Sequence, residues 1–341
     1  MSGPLVTLSG SPGSPYTRKM LAVLRYRRIG YRFLQSASPA AAALPQPRVR
    51  LLPTFYLPNA GGILEAVTDS TPLIRRLEGG HRGRSLVPAH PPLALIAELV
   101  EDYADEWLTK AMFHYRWNYD ADIAQAAEIL PCWSSLTIPD EVLAQRGETF
   151  SRRQIDRLGV VGSNPATGGL IEESYRRFLT AFEAHLKVQP QVLGARPGAG
   201  DFALFGQLSQ LAQFDPTHMR LTLDVAPRVF AWTSLMEDAS GLEPAEADWI
   251  DLSAPPPTLV PLLAEMGRVY VPVMLANARA VAEGLSQVET EIDGQAWLQA
   301  PFPYQAKCLG WLRQSWAALP PESRATAADV LESTGFIQLL S

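Results

Sequence analysis

The residues best placed to do chemistry lie near the N-terminus, in Ser11-Pro12-Gly13-Ser14-Pro15-Tyr16-Thr17-Arg18-Lys19, where an apolar strand gives way to a turn and then to an amphipathic helix. Ser14 falls where the turn becomes helix. The first amides of a helix lack intrahelical partners and the helix dipole puts positive charge at that end, so an anion, above all a thiolate, is favoured beside the Ser14 hydroxyl. Ser11 and Tyr16 are further donors in the same stretch, with Tyr16 expected on the first helical turn.

The elements that must position this turn can be read from periodicity. Residues 5–9 form a short apolar strand, and residues 15–28 a helix that turns Met20, Leu21, Val23, Leu24 and Tyr26 inward and Arg18, Lys19, Arg25 and Arg27 to water. A second strand follows at residues 31–35, then an Ala/Pro-rich crossover. Residues 51–57 and 63–67 flank the turn Pro58-Asn59-Ala60-Gly61-Gly62 as a hairpin, and Asp69-Ser70-Thr71-Pro72 opens a helix that stops at Gly79-Gly80. The order is β-α-β, then β-β-α.

Beyond Pro91 the pattern becomes helical, with Leu93, Ile96, Leu99, Val100, Tyr103 and Trp107 at helical spacing. Prolines and glycines break residues 119–169 into a loop-rich insertion, and helices resume over residues 171–186, 201–212 and 224–238. The run Ala254-Pro255-Pro256-Pro257 reads as a linker. After it come a helix at residues 259–285 and an aromatic tail carrying Phe302, Tyr304, Trp311 and Trp316, expected to pack on the helical domain rather than to act as a lid.

With 341 residues, 47% of them hydrophobic and 19% charged, the chain can bury two cores. A net charge of -6 with acids interspersed among the arginines leaves no basic footprint for nucleic acid. Cys132 and Cys308 stand alone, which fits a reducing cytoplasm, and the N-terminus lacks the pattern of a signal peptide. The apolar run at residues 269–278 is too short to span a bilayer, so no membrane association is expected. The histidines show no metal-ligand spacing, and no metal is expected.

This order of elements, over residues 4–240, resembles the glutathione transferase superfamily in its serine-type, bacterial-like form. Ser14-Pro15-Tyr16-Thr17 is similar to a glutaredoxin Cys-Pro-Tyr-Cys motif with both cysteines replaced, and to the serine-bearing turn of serine-type transferases. Leu52-Pro53 matches the family's cis-proline, Asp69-Ser70 its acidic-Ser pair, and Gly200-Asp201-Phe202 the buried helix start of its second domain, although Gly198 stands where a capping Ser or Thr is usual. The resemblance implies a thioredoxin-like α/β domain over residues 1–82 and an all-α domain over residues 90–253; compact members would finish near residues 224–238, so the C-terminal helical extension over residues 254–341 is a departure from the family.

The resemblance also implies glutathione as co-substrate, activated as thiolate by Ser14 for attack on a small hydrophobic electrophile. Leu52 and Pro53 would pair with its cysteinyl backbone, Asp69 and Ser70 would hold its γ-glutamyl end, and Gln46, Arg48 or Arg50 would meet its glycyl carboxylate. Trp107, Met112, His114 and Tyr115 are the expected wall of the electrophile pocket, with Trp117 beside them. Glu98, Glu101, Asp102, Asp105 and Glu106 are expected to form a solvated helix face, with Lys110 as an i,i+4 partner of Glu106. A homodimer follows from the family alone. The alternative is a protein of this fold that has lost turnover and serves as a binding or interaction module.

Overall fold

A computed structural model describes residues 5–341. Strand β1 (Val6–Gly10) leads into helix α1 (Pro15–Tyr26) and β2 (Tyr31–Gln35). A one-turn helix α2 (Pro39–Ala42) precedes the hairpin of β3 (Thr54–Pro58) and β4 (Leu64–Val67), and α3 (Ser70–Gly80) closes the unit. The sheet order is β2-β1-β3-β4, with β1 parallel to β2 and β3 antiparallel to both its neighbours. The helical crossover makes the first pairing parallel, and the short Asn59–Gly62 turn makes the last antiparallel. This is the expected thioredoxin-like arrangement.

The helical part begins with α4 (Pro91–Tyr103), runs through a π-turn at Ala104–Leu108 and continues as α5 (Thr109–Asn118). Where a loop-rich insertion is expected, the chain instead forms α6 (Asp120–Cys132) and α7 (Asp140–Ile155). Pro131 lies in the last turn of α6 and Pro139 just before α7, so these prolines bound helices rather than abolish them. Helices α8 (Gly168–Leu186), α9 (Ala199–Leu211), α10 (Pro216–Val225) and α11 (Pro227–Met236) complete the bundle. At the start of α9, Asp201 accepts the amide hydrogens of Gly198 and Val192, both at 2.9 Å. Its carboxylate thus satisfies both amides, and Gly198 has no side chain to return the bond.

The extension is built on α12 (Leu259–Glu283), followed by β5 (Val288–Ile292), β6 (Gln295–Gln299), α13 (Pro303–Ala318), α14 (Pro321–Leu331) and α15 (Phe336–Leu340). The expectation of a purely helical extension omits the hairpin. Its signal is present in the sequence: Asp293 and Gly294 form a two-residue turn with φ of 55° and 75°, the conformation an Asp-Gly pair favours between strands. Helix α12 is long and apolar enough to cross a membrane, yet its Leu262, Leu263, Met266, Val269, Tyr270 and Val273 are all buried here by protein.

Helix α1 is covered on two sides, by the sheet and by α9, and this overturns, for Lys19 and Arg27, the expectation that its charged residues face water, while Arg18 and Arg25 stay partly exposed. Arg27 and Lys19 are buried, the latter with no exposed surface. The close approach of α1 to α9 is possible because Gly206 lacks a side chain: a Cβ there would lie 2.7 Å from the Pro15 carbonyl oxygen and 3.0 Å from Lys19 Cβ. Gly206→Ala is therefore expected to destabilise the fold by ~1–3 kcal/mol, read as a lowered urea midpoint at unchanged slope. A midpoint equal to the parent's would contradict this packing.

Candidate functional site

Ser14 is the N-cap of α1. It has extended backbone angles, and its Oγ accepts the Thr17 amide hydrogen at 3.2 Å, while Pro15 takes the first helical position. Capping consumes an acceptor site of the hydroxyl and leaves its hydrogen free to donate. The side chain is half-buried and borders a cavity of about 770 Å³ between the two domains. Ser11, Gly13 and Leu52 share that wall. A second, open hollow of about 880 Å³ lies between α6 and α7 and touches none of the turn residues.

The turn is held from below. Arg116 donates to the Gly13 carbonyl at 3.2 Å and Gln210 to the Pro12 carbonyl at 3.1 Å, and the two side chains are joined to each other at 2.9 Å. Arg116 is in turn paired with Asp215 at 2.8 Å, and His218 bonds the same carboxylate at 3.2 Å. Asp122, Asp215 and His218 lie close enough together to hold an ion. In the structure these residues serve packing: Asp122 caps α10 through the Thr217 amide, and Arg116 brings positive charge to Asp215. Spacing along the chain could not show this group, because Asp122 is remote from the other two.

Of the remaining donors in the turn, Ser11 borders the cavity, whereas the Tyr16 hydroxyl donates to the Asp105 carbonyl at 2.8 Å. Burial, reinforced by Asp105 and Glu106, raises the Tyr16 phenol well above its ordinary range, so it stays protonated in that bond. The Leu52-Pro53 peptide is cis, and Leu52 lies outside the ladder, which starts at Thr54. Arg48 is exposed, as are Gln46 and Arg50.

Asp69 and Ser70 sit at the start of α3, Asp69 with a φ of 83°. Both have partners that sequence reasoning missed. The Tyr304 hydroxyl, from α13 of the extension, donates to Asp69 Oδ2 at 2.7 Å, and Lys19 Nζ donates to Ser70 Oγ at 3.1 Å. Lys19 also bonds Glu101 at 2.8 Å and Asp105 at 2.6 Å. Burial would lower this ammonium, but Asp105 and Glu101 outweigh it and raise it above its ordinary range.

The carboxylates of α4 and the π-turn are thus not a solvated face: Glu101, Asp105 and Glu106 are buried. The extension covers them. Tyr270 of α12 donates to Asp102, Gln305 of α13 donates to the Glu106 carbonyl at 3.1 Å, and Cys308 lies against the Glu106 carboxyl. Lys110 donates to Gln299 at 2.8 Å and to the Val161 carbonyl at 3.2 Å in place of the expected pairing with Glu106. Burial first, then mutual repulsion, pushes Asp102 up to about 7 and Glu106 up to about 8, while burial lowers Lys110 to about 8.

Of the four residues expected to wall the electrophile pocket, Met112 borders the cavity, together with Trp117. Trp107 is packed on Trp297 and bonded to Ser174, His114 is bonded to Ser163 and Glu172, and Tyr115 stacks on Tyr119, all outside the cavity. Phe113 and Arg116 of α5 also line it, and much of the remaining wall comes from Leu130 of α6, Trp133 just after it, and Gln145, Arg146, Phe150 and Arg153 of α7.

Residues 8–85 match the family model described as glutathione S-transferase, N-terminal domain, and residues 141–233 that of the glutathione S-transferase C-terminal domain, together half of the chain. Similar solved structures include a glutathione S-transferase from Methylobacterium radiotolerans in complex with glutathione sulfonate, at 19% identity, a TM-score of 0.36 and coverage of 71% of this chain and 98% of that one. A theta class glutathione S-transferase from Xanthomonas axonopodis pv. citri with glutathione bound is 16% identical, with a TM-score of 0.39 and coverage of 71% and 100%. A glutathione S-transferase from Rhodospirillum rubrum is 15% identical, with a TM-score of 0.36 and coverage of 89% and 99%. Among curated proteins no match is found.

Proposed function

The chain belongs to the glutathione transferase superfamily, and from that premise we propose that it binds glutathione at Ser14 as thiolate for attack on a small hydrophobic electrophile in the adjoining cavity. The observation that carries the reading is the Ser14 hydroxyl itself. It caps α1 through its oxygen, keeps its hydrogen to donate, and borders a cavity of about 770 Å³. A sulfur placed there receives one hydrogen bond and the positive end of α1, which together can depress a thiol near pKa ~8.5 by about two units, or roughly 2.7 kcal/mol. Leu52, with its backbone outside the ladder, is in position to pair with the cysteinyl backbone of the tripeptide. Asp69 and Ser70 would take its amino-acid end, with Tyr304 and Lys19 orienting them. A cytoplasmic location, in keeping with the two lone cysteines, and a homodimeric state, taken from the family alone, go with this reading.

Two measurements test it. Calorimetric titration is expected to show glutathione binding to the parent protein, and Ser14→Ala is expected to lower conjugation of chloronitroarenes by roughly tenfold at neutral pH, as the thiol moves back toward its free value and its thiolate fraction falls, the end of α1 keeping part of the shift. Ser14→Thr, which retains cap and hydroxyl, separates this loss from the ~1 kcal/mol of cap stability. Absence of glutathione binding by the parent would sink the proposal.

A second reading is favoured by one observation: Asp69 and Ser70 are already engaged, by Tyr304 and Lys19. On that reading the chain is a binding or interaction module without turnover. Intact glutathione binding with no conjugation across chloronitroarenes, epoxides and quinones would support it, and Ser14-dependent turnover of any of them would exclude it.

A further inference from the structure

Asp69 stands at the N-cap of α3, where a carboxylate ordinarily accepts the amide hydrogens of its own helix, and yet its side chain makes no such bond. Its Oδ2 accepts the Tyr304 hydroxyl hydrogen at 2.7 Å instead, and among the described residues its Oδ1 has no partner. The residue is half-buried rather than enclosed. Ser70, beside it, accepts from Lys19 Nζ at 3.1 Å, which leaves its hydroxyl hydrogen free to donate. A free carboxylate oxygen next to a free hydroxyl hydrogen suits a ligand that carries an ammonium and a carboxylate on one carbon. Lys19 holds this pair from α1, and Tyr304 holds it from the extension, which lies beyond the residues matched by either family model. The fold fixes Tyr304 on both sides along the chain. The buried Asn277 of α12 bonds both backbone groups of Phe302, at 2.9 and 2.7 Å, and the buried Gln305 donates to the Glu106 carbonyl at 3.1 Å. Trp311 meets the Tyr304 ring edge-on at 6.4 Å between centroids. Burial, reinforced by Cys308 and Asp69, raises the phenol far above its ordinary range, so the hydroxyl keeps its proton and donates.

We propose that Tyr304 is a positioning residue of the glutathione site: by holding Asp69 Oδ2 it aims Oδ1 at the ammonium of the γ-glutamyl group, so that the C-terminal extension completes the site within one chain. The proposal rests on reading Asp69 and Ser70 as the seat of the tripeptide's amino-acid end. Two effects of the bond oppose each other. It draws off some of the carboxylate's charge, which weakens its pull on an ammonium, and it spares the ligand the ordering of a free side chain. Orientation outweighs the charge drawn off, because Tyr304 is uncharged and donates to the oxygen that the ligand does not use.

The test measures binding without turnover. Calorimetry of the full-length protein compares glutathione with its deaminated analogue, glutaryl-cysteinylglycine, which lacks only the ammonium. The parent is expected to prefer glutathione. Tyr304→Phe, which keeps the ring, is expected to weaken glutathione about fivefold, the effect of one hydrogen bond, and the analogue by less than about twofold. In an Asp69→Ala background the same substitution is expected to change glutathione binding by less than about twofold, because the group it positions is gone. Equal weakening of both ligands, or full additivity with Asp69→Ala, marks a merely structural role for Tyr304 and overturns the proposal. A parent that binds both ligands alike overturns it too, since Asp69 then holds no ammonium. Glutathione binding by the parent with no loss in Tyr304→Phe removes the positioning role alone, whereas absence of binding by the parent removes it together with the transferase reading.

Discussion

Replacing Lys19 with alanine is expected to remove about 3–5 kcal/mol of folding stability, a large share of what holds a domain together. The ammonium has no exposed surface and lies between Glu101 and Asp105, themselves buried, so its loss strands two carboxylates without a counter-charge. It also takes away the donor to Ser70 Oγ and a hydrophobic stem from the junction of α1 with α4. The double-neutralised background Lys19→Met with Glu101→Gln and Asp105→Asn should recover most of the loss, because no uncompensated charge then remains. Urea titration of the single and combined variants measures both. A single-variant loss below about 1 kcal/mol would mean that water reaches these carboxylates.

Stability is expected to fall by about 2 kcal/mol between pH 6.5 and pH 8, the opposite of the common acid sensitivity of carboxylate pairs. Asp102 and Glu106 have folded-state values pushed up to about 7 and about 8, chiefly by burial. A carboxyl raised on folding binds its proton more tightly in the native state. It therefore contributes stability that is fully present below the unfolded value near pH ~4 and is lost as pH rises through the folded value. Asp105, raised to about 6, acts in the same sense at lower pH. His185, held neutral by burial, acts in the opposite sense as pH falls, and Lys110, lowered to about 8, does so as pH rises beyond that value, which is why the window is bounded at both ends. Thermal unfolding at constant ionic strength should show the decline, and Asp102→Asn with Glu106→Gln should flatten it. A melting temperature that rises across the window would refute the assignment.

Both effects arise at charges that periodicity alone assigns to solvent. Glu101, Asp105, Glu106 and Lys110 have the spacing of an exposed helix stripe, and Lys19 that of the polar side of an amphipathic helix. A hydrophobic pattern reports how a segment would sort its residues against one apolar neighbour. It does not report a second neighbour on the far side. Helix α1 has the sheet on one side and α9 on the other, and α4 has both the bundle and the extension, so their charged faces are enclosed and the charges must pair with one another.

The sequence by itself determined the strand, turn and helix that present Ser14, the β-α-β then β-β-α order that makes the small sheet, the proline before β3 and the switch to helices after Pro91. All are local: a cap, a turn residue or a period of two or 3.6 is written within a few residues and needs no distant partner. The tertiary structure alone decided what surrounds Ser14. It walled the cavity with α7 in place of Trp107, His114 and Tyr115, brought Tyr304 to Asp69 across more than two hundred positions, and buried Lys19 with its acids. These outcomes depend on which faces of remote helices meet, a relation that no short window of sequence records.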